Sequence, residues 1–198
     1  MRRIVVINSV TLDGVMQAPA RPDEDTRDGF GHGGWAVPYQ DHVLAGYMAE
    51  RMEVPGSMLF GRRTYEDLRG TWAGRTDNPY SPVLDNGEKY VVSRTLPDPL
   101  PWRNSVRVDG DVPRAVARLK EGPGGDIAVL GSGELHHTLR AHGLVDEYVL
   151  VIHPLVLGTG RRLFPDGGTY GALRLVDSVA TTTGVVIGTY HPVTAGSR

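Results

Sequence analysis

No cysteine occurs anywhere in the 198 residues, so the chain carries no thiol nucleophile, no Cys-ligated zinc or iron–sulfur cluster and no disulfide staple. That fits a reducing compartment, and a cytoplasmic location is the expectation. Charge of one sign is missing too: 21 Lys and Arg against 23 Asp and Glu leave a formal net charge of -2. There is no basic field of the kind that nucleic acid or an anionic membrane demands, and a small-molecule partner is expected instead. Long hydrophobic runs are absent. The apolar run from Ile4 stops at Asn8 and Ser9, which reads as a buried first strand rather than a signal peptide or a membrane span. The seven histidines show no H-E-x-x-H spacing, and His136 and His137 would point about 100° apart on a helix, so no metal site is expected.

What is present is a regular alternation. Residues 4–7, 58–60, 90–92 and 127–130 are short β-branched or apolar runs, each closed by polar or small residues, as strands covered on both faces read. Between them lie helical stripes. One is Val43, Leu44, Tyr47, Met48 and Met52 after a capping Asp41, a second is Val112, Ala115, Val116 and Leu119, and a shorter third is Leu135 and Leu139. Strands separated by helices imply crossover connections, hence an α/β fold with a mostly parallel sheet and helices on its faces. After Asp146 the runs 148–157, 172–179 and 184–190 have no helix between them and read as strands added antiparallel at the sheet edge. Segments 17–38 and 70–86, rich in Gly, Pro and Asp, read as long loops. No linker or repeat divides residues 1–198, and one domain is expected.

Three loops follow three of the parallel strands, and ligands of open α/β sheets bind at strand carboxyl ends. Gly61-Arg62-Arg63-Thr64 passes from a strand into a helix beginning near Thr64, where backbone N–H groups and forked guanidinium donors suit an anion. Ser93-Arg94 closes the next strand. Gly131-Ser132-Gly133-Glu134-Leu135 opens another helix with residues small enough for close backbone approach to a phosphate. His136 stands where the last glycine of G-x-G-x-x-G belongs, so this is not the Rossmann fingerprint. The acidic group Asp23-Glu24-Asp25 reads as a solvated loop, and Trp35, Tyr39 and Trp72 as packing residues or pocket walls.

In that order and spacing the three loops resemble the cofactor landmarks of the dihydrofolate reductase superfamily over roughly residues 3–192. Leu12-Asp13-Gly14, and His153-Pro154-Leu155-Val156-Leu157-Gly158-x-Gly160 followed by Leu163-Phe164, are similar to the branch containing the reductase half of the riboflavin-biosynthesis deaminase-reductase. The resemblance implies a three-layer fold and an NADPH cofactor. Arg62, Arg63, Thr64, Ser93 and Arg94 would lie by the adenosine and its 2′-phosphate, residues 131–135 by the pyrophosphate, and Asp13 and Gly14 by the nicotinamide. It also implies a homodimer, in keeping with the long apolar C-terminal strands.

The substrate side departs from the dihydrofolate reductase pattern. After Trp35, Pro38 and Tyr39 the expected carboxylate position holds Gln40, and Asp41 comes one place later, facing either the pocket or the start of its helix. With no Cys and no H-x-E with P-C-x-x-C, no zinc-deaminase half is expected in these residues, which leaves only the reductase step. The expected function is hydride transfer from NADPH to a C=N or C=O bond of a small heterocycle, with 5-amino-6-(5-phosphoribosylamino)uracil the favoured substrate and a pterin second. Asp13 or Asp41 would orient the substrate or relay a proton, and Trp35, Tyr39, His136 and His153 are the candidate substrate contacts. The rivals are a nucleotide-binding protein without turnover and a serine hydrolase built on Ser132.

Overall fold

Continuous β-branched runs bury both faces of a strand only if helices cover the sheet on each side, and the structure, a computed structural model describing residues 1–53, 56–77 and 80–193, is built that way. Its elements are β1 (Ile4–Thr11), α1 (His42–Glu53), β2 (Ser57–Gly61), α2 (Arg62–Trp72), α3 (Tyr80–Asn86), β3 (Glu88–Val92), β4 (Ser105–Val108), α4 (Val112–Glu121), β5 (Ile127–Leu130), α5 (Gly133–Ala141), β6 (Glu147–His153), β7 (Leu173–Ala180) and β8 (Val186–Pro192). They form one eight-stranded sheet in the order β4-β3-β2-β5-β1-β6-β8-β7. This is the dihydrofolate reductase-like fold. Among the described residues no helix is long and apolar enough to cross a membrane.

Side chains of β1 alternate between two cores. Ile4, Val6 and Val10 join Val116 of α4 and Leu135 and Leu139 of α5 on one face, whereas Val5 meets Leu44 of α1 on the other. A third cluster on the α1 side joins Met58 and Phe60 of β2 to Tyr65 of α2, Leu84 of α3 and Trp102. Helix starts follow local chemistry: Asp41 Oδ1 accepts the Leu44 N–H at 2.8 Å, and Asp111 Oδ1 accepts the Arg114 N–H at 3.0 Å.

Three readings need correction. β6 was expected to join the sheet antiparallel, yet it pairs parallel with β1, from Val5 opposite Glu147 to Thr11 opposite His153, because α5 supplies a crossover before it. Only β8 and β7 are antiparallel additions. The 70–86 segment is not one loop: α2 reaches Trp72 and α3 occupies Tyr80–Asn86, while residues 78 and 79 lie outside the described residues, as do 194–198 of the expected domain. The helix expected near Thr64 begins at Arg62.

Candidate active-site cleft

Parallel strands leave their carboxyl ends at one edge of the sheet, and a cleft of about 1270 Å³ opens there. Its floor includes Ile7, Asn8 and Ser9 of β1, Leu130 of β5 and Val92 of β3, and its walls include residues 61–64 from the start of α2 and 131–135 from the start of α5. The sheet register explains the opening. Ile7 lies opposite Leu130, the last residue of β5, so β1 continues past its neighbour and exposes its end.

Two helix N-termini meet in this cleft, and neither has a side-chain cap. The first-turn N–H groups of α2 and α5 therefore lack the partners that Ser, Thr or Asp usually supply, an arrangement suited to an anion. The turn before α5 is held in a left-handed conformation at two successive residues, Gly131 at φ 57° and Ser132 at φ 58°. Ser132 tolerates that conformation because it is pinned. Its Oγ accepts the Gly61 N–H at 2.9 Å and lies 2.9 Å from Thr64 Oγ1, which also accepts the Ser132 N–H at 3.1 Å. A Cβ on Gly131 would sit 3.3 Å from Thr64 Cγ2, tighter than an ordinary contact, and at a positive φ that glycine adopts without strain. Ser132 Oγ thus braces α2 against α5, and among the described residues it bonds to no histidine that could act as a hydrolase base.

The structure brings together two of the three expected loops. Gly61, Arg62, Arg63, Thr64, Gly131, Ser132, Gly133, Glu134 and Leu135 all line the cleft. Ser93 and Arg94 do not. Ser93 Oγ is turned inward to accept the N–H groups of Thr95 and Leu96 at 3.1 and 3.0 Å, and Arg94 is exposed.

Neither expected carboxylate lines the cleft. Asp13 accepts from Thr11 Oγ1 at 2.5 Å, from the Leu157 N–H at 3.2 Å and from the Gly158 N–H at 2.8 Å, and these bonds hold its carboxyl below the usual range, Thr11 foremost. Together with Gly14 at φ 80°, whose carbonyl accepts the Leu163 N–H, it clamps the end of β1 to the segment after β6. Asp41 faces its own helix: besides Leu44 it accepts from the Thr182 backbone and hydroxyl, each at 2.6 Å, and these donors hold it down at about 2. The geometry makes Asp13 a clamp and Asp41 an N-cap.

The four expected substrate contacts are also packing residues. Trp35 is buried among Val15, Ala18 and Phe30, its indole N–H bonded to the Gln17 carbonyl at 2.7 Å. Tyr39 packs beside α1, and the His153 ring, fully buried, sits edge-on to both Trp35 and Tyr39 at 5.0 and 5.7 Å. His136 is buried between Tyr148 and Phe164, and burial pushes its imidazole down to about 4.

Sequence reasoning missed what the 17–38 segment does. It is not a slack loop. Gln17, 3% exposed, donates to the carbonyls of Asp25 and Arg27 at 3.1 Å each and accepts the Arg161 N–H at 2.9 Å, folding the segment over the cleft. Asp23, Glu24 and Asp25, read as solvated, become part of the wall with Glu66 and Asp67. Burial pushes the Glu24 carboxyl up, against the Ala20 and Arg21 N–H groups that it accepts, whereas an ion pair with Arg27 holds Asp25 down. Arg161 and Arg162 line the cleft as well, with Arg161 paired to Asp28 at 3.0 Å and to Glu134 at 3.3 Å. Their signal was the Arg-Arg pair directly after Gly158-x-Gly160.

Comparison with known proteins agrees with this architecture. The family model of the RibD C-terminal domain matches residues 2–187. The uncharacterized protein YyaP of Bacillus subtilis (strain 168) is 29% identical over 195 residues, covering 96% of this chain and 95% of its own length. The uncharacterized protein YwjB of the same organism is 26% identical over 176 residues, covering 88% and 89%. Among solved structures, a putative riboflavin biosynthesis protein from Shewanella sp. PV-4 is similar with a TM-score of 0.72 at 21% identity, covering 97% of this chain and 99% of that one. A pyrimidine reductase-like protein from Corynebacterium diphtheriae NCTC is similar with a TM-score of 0.62 at 13% identity, covering 98% and 92%.

Proposed function

The chain belongs to the RibD C-terminal domain family, and from that premise we propose that it is an NADPH-dependent reductase of a small nitrogen heterocycle. The observation that carries the reading is the meeting of two uncapped helix N-termini, α2 and α5, beside Arg62 and Arg63 in one cleft. The donor set fits a dinucleotide. The uncapped first-turn N–H groups of α5, Gly133 to Leu135, suit a pyrophosphate, and the forked guanidinium groups of Arg62 and Arg63 suit an additional 2′-phosphate, where an NAD site would place a carboxylate on the ribose. When bound, the cofactor supplies the hydride; the protein orients the rings and excludes water.

Of the possible acceptors, an aminopyrimidine such as 5-amino-6-(5-phosphoribosylamino)uracil suits the cleft best. Residues 23–25 and 66–67 put five carboxylates on one wall, paired with Arg21, Arg27 and Arg62 except at Glu24, and amino groups of a substrate would compete for acceptors there. Glu24, which lines that wall and whose carboxyl burial pushes up, is the group proposed to exchange the proton that must accompany a hydride. A pterin substrate is disfavoured because Gln40 stands at the carboxylate position and Asp41 is bound to its own helix and to Thr182.

The reading is tested by following loss of nicotinamide absorbance with this pyrimidine, with its dephosphorylated form and with dihydrofolate. We expect NADPH-dependent turnover of a pyrimidine. NADPH binding without oxidation by any of the three would favour the protein that binds but does not turn over.

A further inference from the structure

Five buried side-chain atoms have no hydrogen-bond partner among the described residues: Asn8 Nδ2, Ser105 Oγ, His136 Nδ1, His153 Nε2 and Arg161 Nε. Only Asn8 and Arg161 line the cleft, and the Arg161 guanidinium is already held by Glu134 and Asp28. Asn8 is different. It is 6% exposed, it sits on the floor of the cleft, and its amide nitrogen donates to nothing. A buried amide donor left unpaired forfeits its hydration without return, so such a group in a folded chain calls for an explanation.

Its position says what it can meet. Asn8 is the first residue of β1 beyond the end of β5, at the height where Leu130 gives way to the Gly131–Ser132 turn, and it shares the strand face of Ile4, Val6 and Val10. Ile7, Met16, Ala18, Leu130 and Leu135 line the same cleft. A phosphate is better served by the helix N-termini and arginines. A buried neutral donor with no partner instead suits a neutral carbonyl oxygen on a flat ring.

We propose that the Asn8 side-chain amide binds the carboxamide oxygen of the nicotinamide ring. This deepens the NADPH reading and rests on it. A ring held by its carboxamide cannot turn over about its glycosidic bond, so Asn8 would decide which ring face meets the substrate, a positioning role.

The assignment makes two demands of opposite sign. Replacing Asn8 by Leu removes an unpaired buried donor, so the ligand-free protein should melt at a higher temperature, whereas affinity for NADPH should fall. The experiment is calorimetric titration of wild type, Asn8→Leu and Asn8→Asp with NADPH and with 2′-phospho-ADP-ribose, which has the same phosphates and adenosine but no nicotinamide. We expect NADPH affinity to drop about tenfold or more in both variants, the scale of one lost buried hydrogen bond, while the fragment stays within about twofold of wild type. Should the leucine variant fail to fold, the nearly isosteric aspartate decides. NADPH affinity unchanged in the variants, or an equal loss for NADPH and fragment, overturns the role of Asn8 while leaving the cofactor reading intact. Wild-type protein that binds neither NADPH nor the fragment overturns both.

Discussion

Replacing Asp13 separates a structural carboxylate from a catalytic one. Its oxygens accept two backbone N–H groups, those of Leu157 and Gly158, and the Thr11 hydroxyl, which together tie the turn after β1 to the segment after β6. A half-exposed carboxylate gains less from each bond than a buried one, so about 1 kcal/mol apiece is the appropriate scale, and Asp13→Ala should lose roughly 2 kcal/mol through the two backbone bonds. For a chain of this size that amounts to a fall in Tm of about 4–8 °C. Asp13→Asn keeps one acceptor oxygen and should lose about half as much. Thermal denaturation followed by circular dichroism measures the shift, and NADPH oxidation by the folded variants at low temperature measures the chemistry. We expect Tm to fall while turnover of the remaining folded protein stays within a few-fold of wild type. An Asp13→Asn protein with wild-type Tm and a loss of kcat/KM on the order of a hundredfold would refute the clamp and restore a catalytic Asp13.

Three further outcomes follow from the same geometry. Arg62→Ala and Arg63→Ala should each weaken NADPH by roughly tenfold and leave NADH nearly unchanged, and an equal loss for both cofactors in titration would place the 2′-phosphate elsewhere. Stability should decline as pH falls from 6.5 toward 4, because His136 titrates at about 4 when folded against 6.5 in the unfolded chain, so the unfolded state takes up more protons in that window. A plot of Tm against pH should be flatter for His136→Leu, and identical slopes would contradict the assignment. Because Leu173, Leu175 and Val176 of the edge strand β7 are 36%, 51% and 46% exposed, we expect a homodimer through this edge. Light scattering should give twice the 21.5 kDa chain mass and Leu175→Lys should lower it; a wild-type monomer would contradict the proposal.

The sheet was legible where strands are buried on both faces. The runs at 4–7, 58–60, 90–92 and 127–130 each fall within β1, β2, β3 and β5, because a continuous β-branched sequence has few other ways to bury itself. β4 went unread: it is four residues at the sheet edge with Val106 exposed, too short and too polar for a period to emerge. α3 was hidden because Pro82 and a Gly- and Asp-rich setting mimic a loop, although Pro is tolerated in a helix's first turn. The direction of β6 depended on its following α5, a short helix that the apolar run after Asp146 overshadowed.

The wall of the cleft built from helix starts was more legible than the acidic wall opposite it, and for a physical reason. Phosphates are recognised by local features, a helix start with glycine and arginine contiguous in sequence, so Gly61-Arg62-Arg63-Thr64 and Gly131-Ser132-Gly133 could be read directly. The opposite wall is assembled by tertiary contacts. Glu24 and Asp25 reach the cleft only because Gln17, buried and bonded to three backbone groups, folds their segment over it, and nothing adjacent in sequence announces that. Asp13 and Asp41 fall outside the cleft lining for the complementary reason, since a carboxylate beside a glycine or before a helix is equally at home as a turn or a cap.

We propose that one cleft holds NADPH by the N-termini of α2 and α5. A crystal structure of the protein grown with NADP⁺ tests it most directly. We expect the pyrophosphate against the first turn of α5, from Gly133 to Leu135, and the 2′-phosphate within reach of Arg62 or Arg63. A dinucleotide whose phosphates lie away from both helix starts, or no dinucleotide bound at saturating concentration, would contradict it.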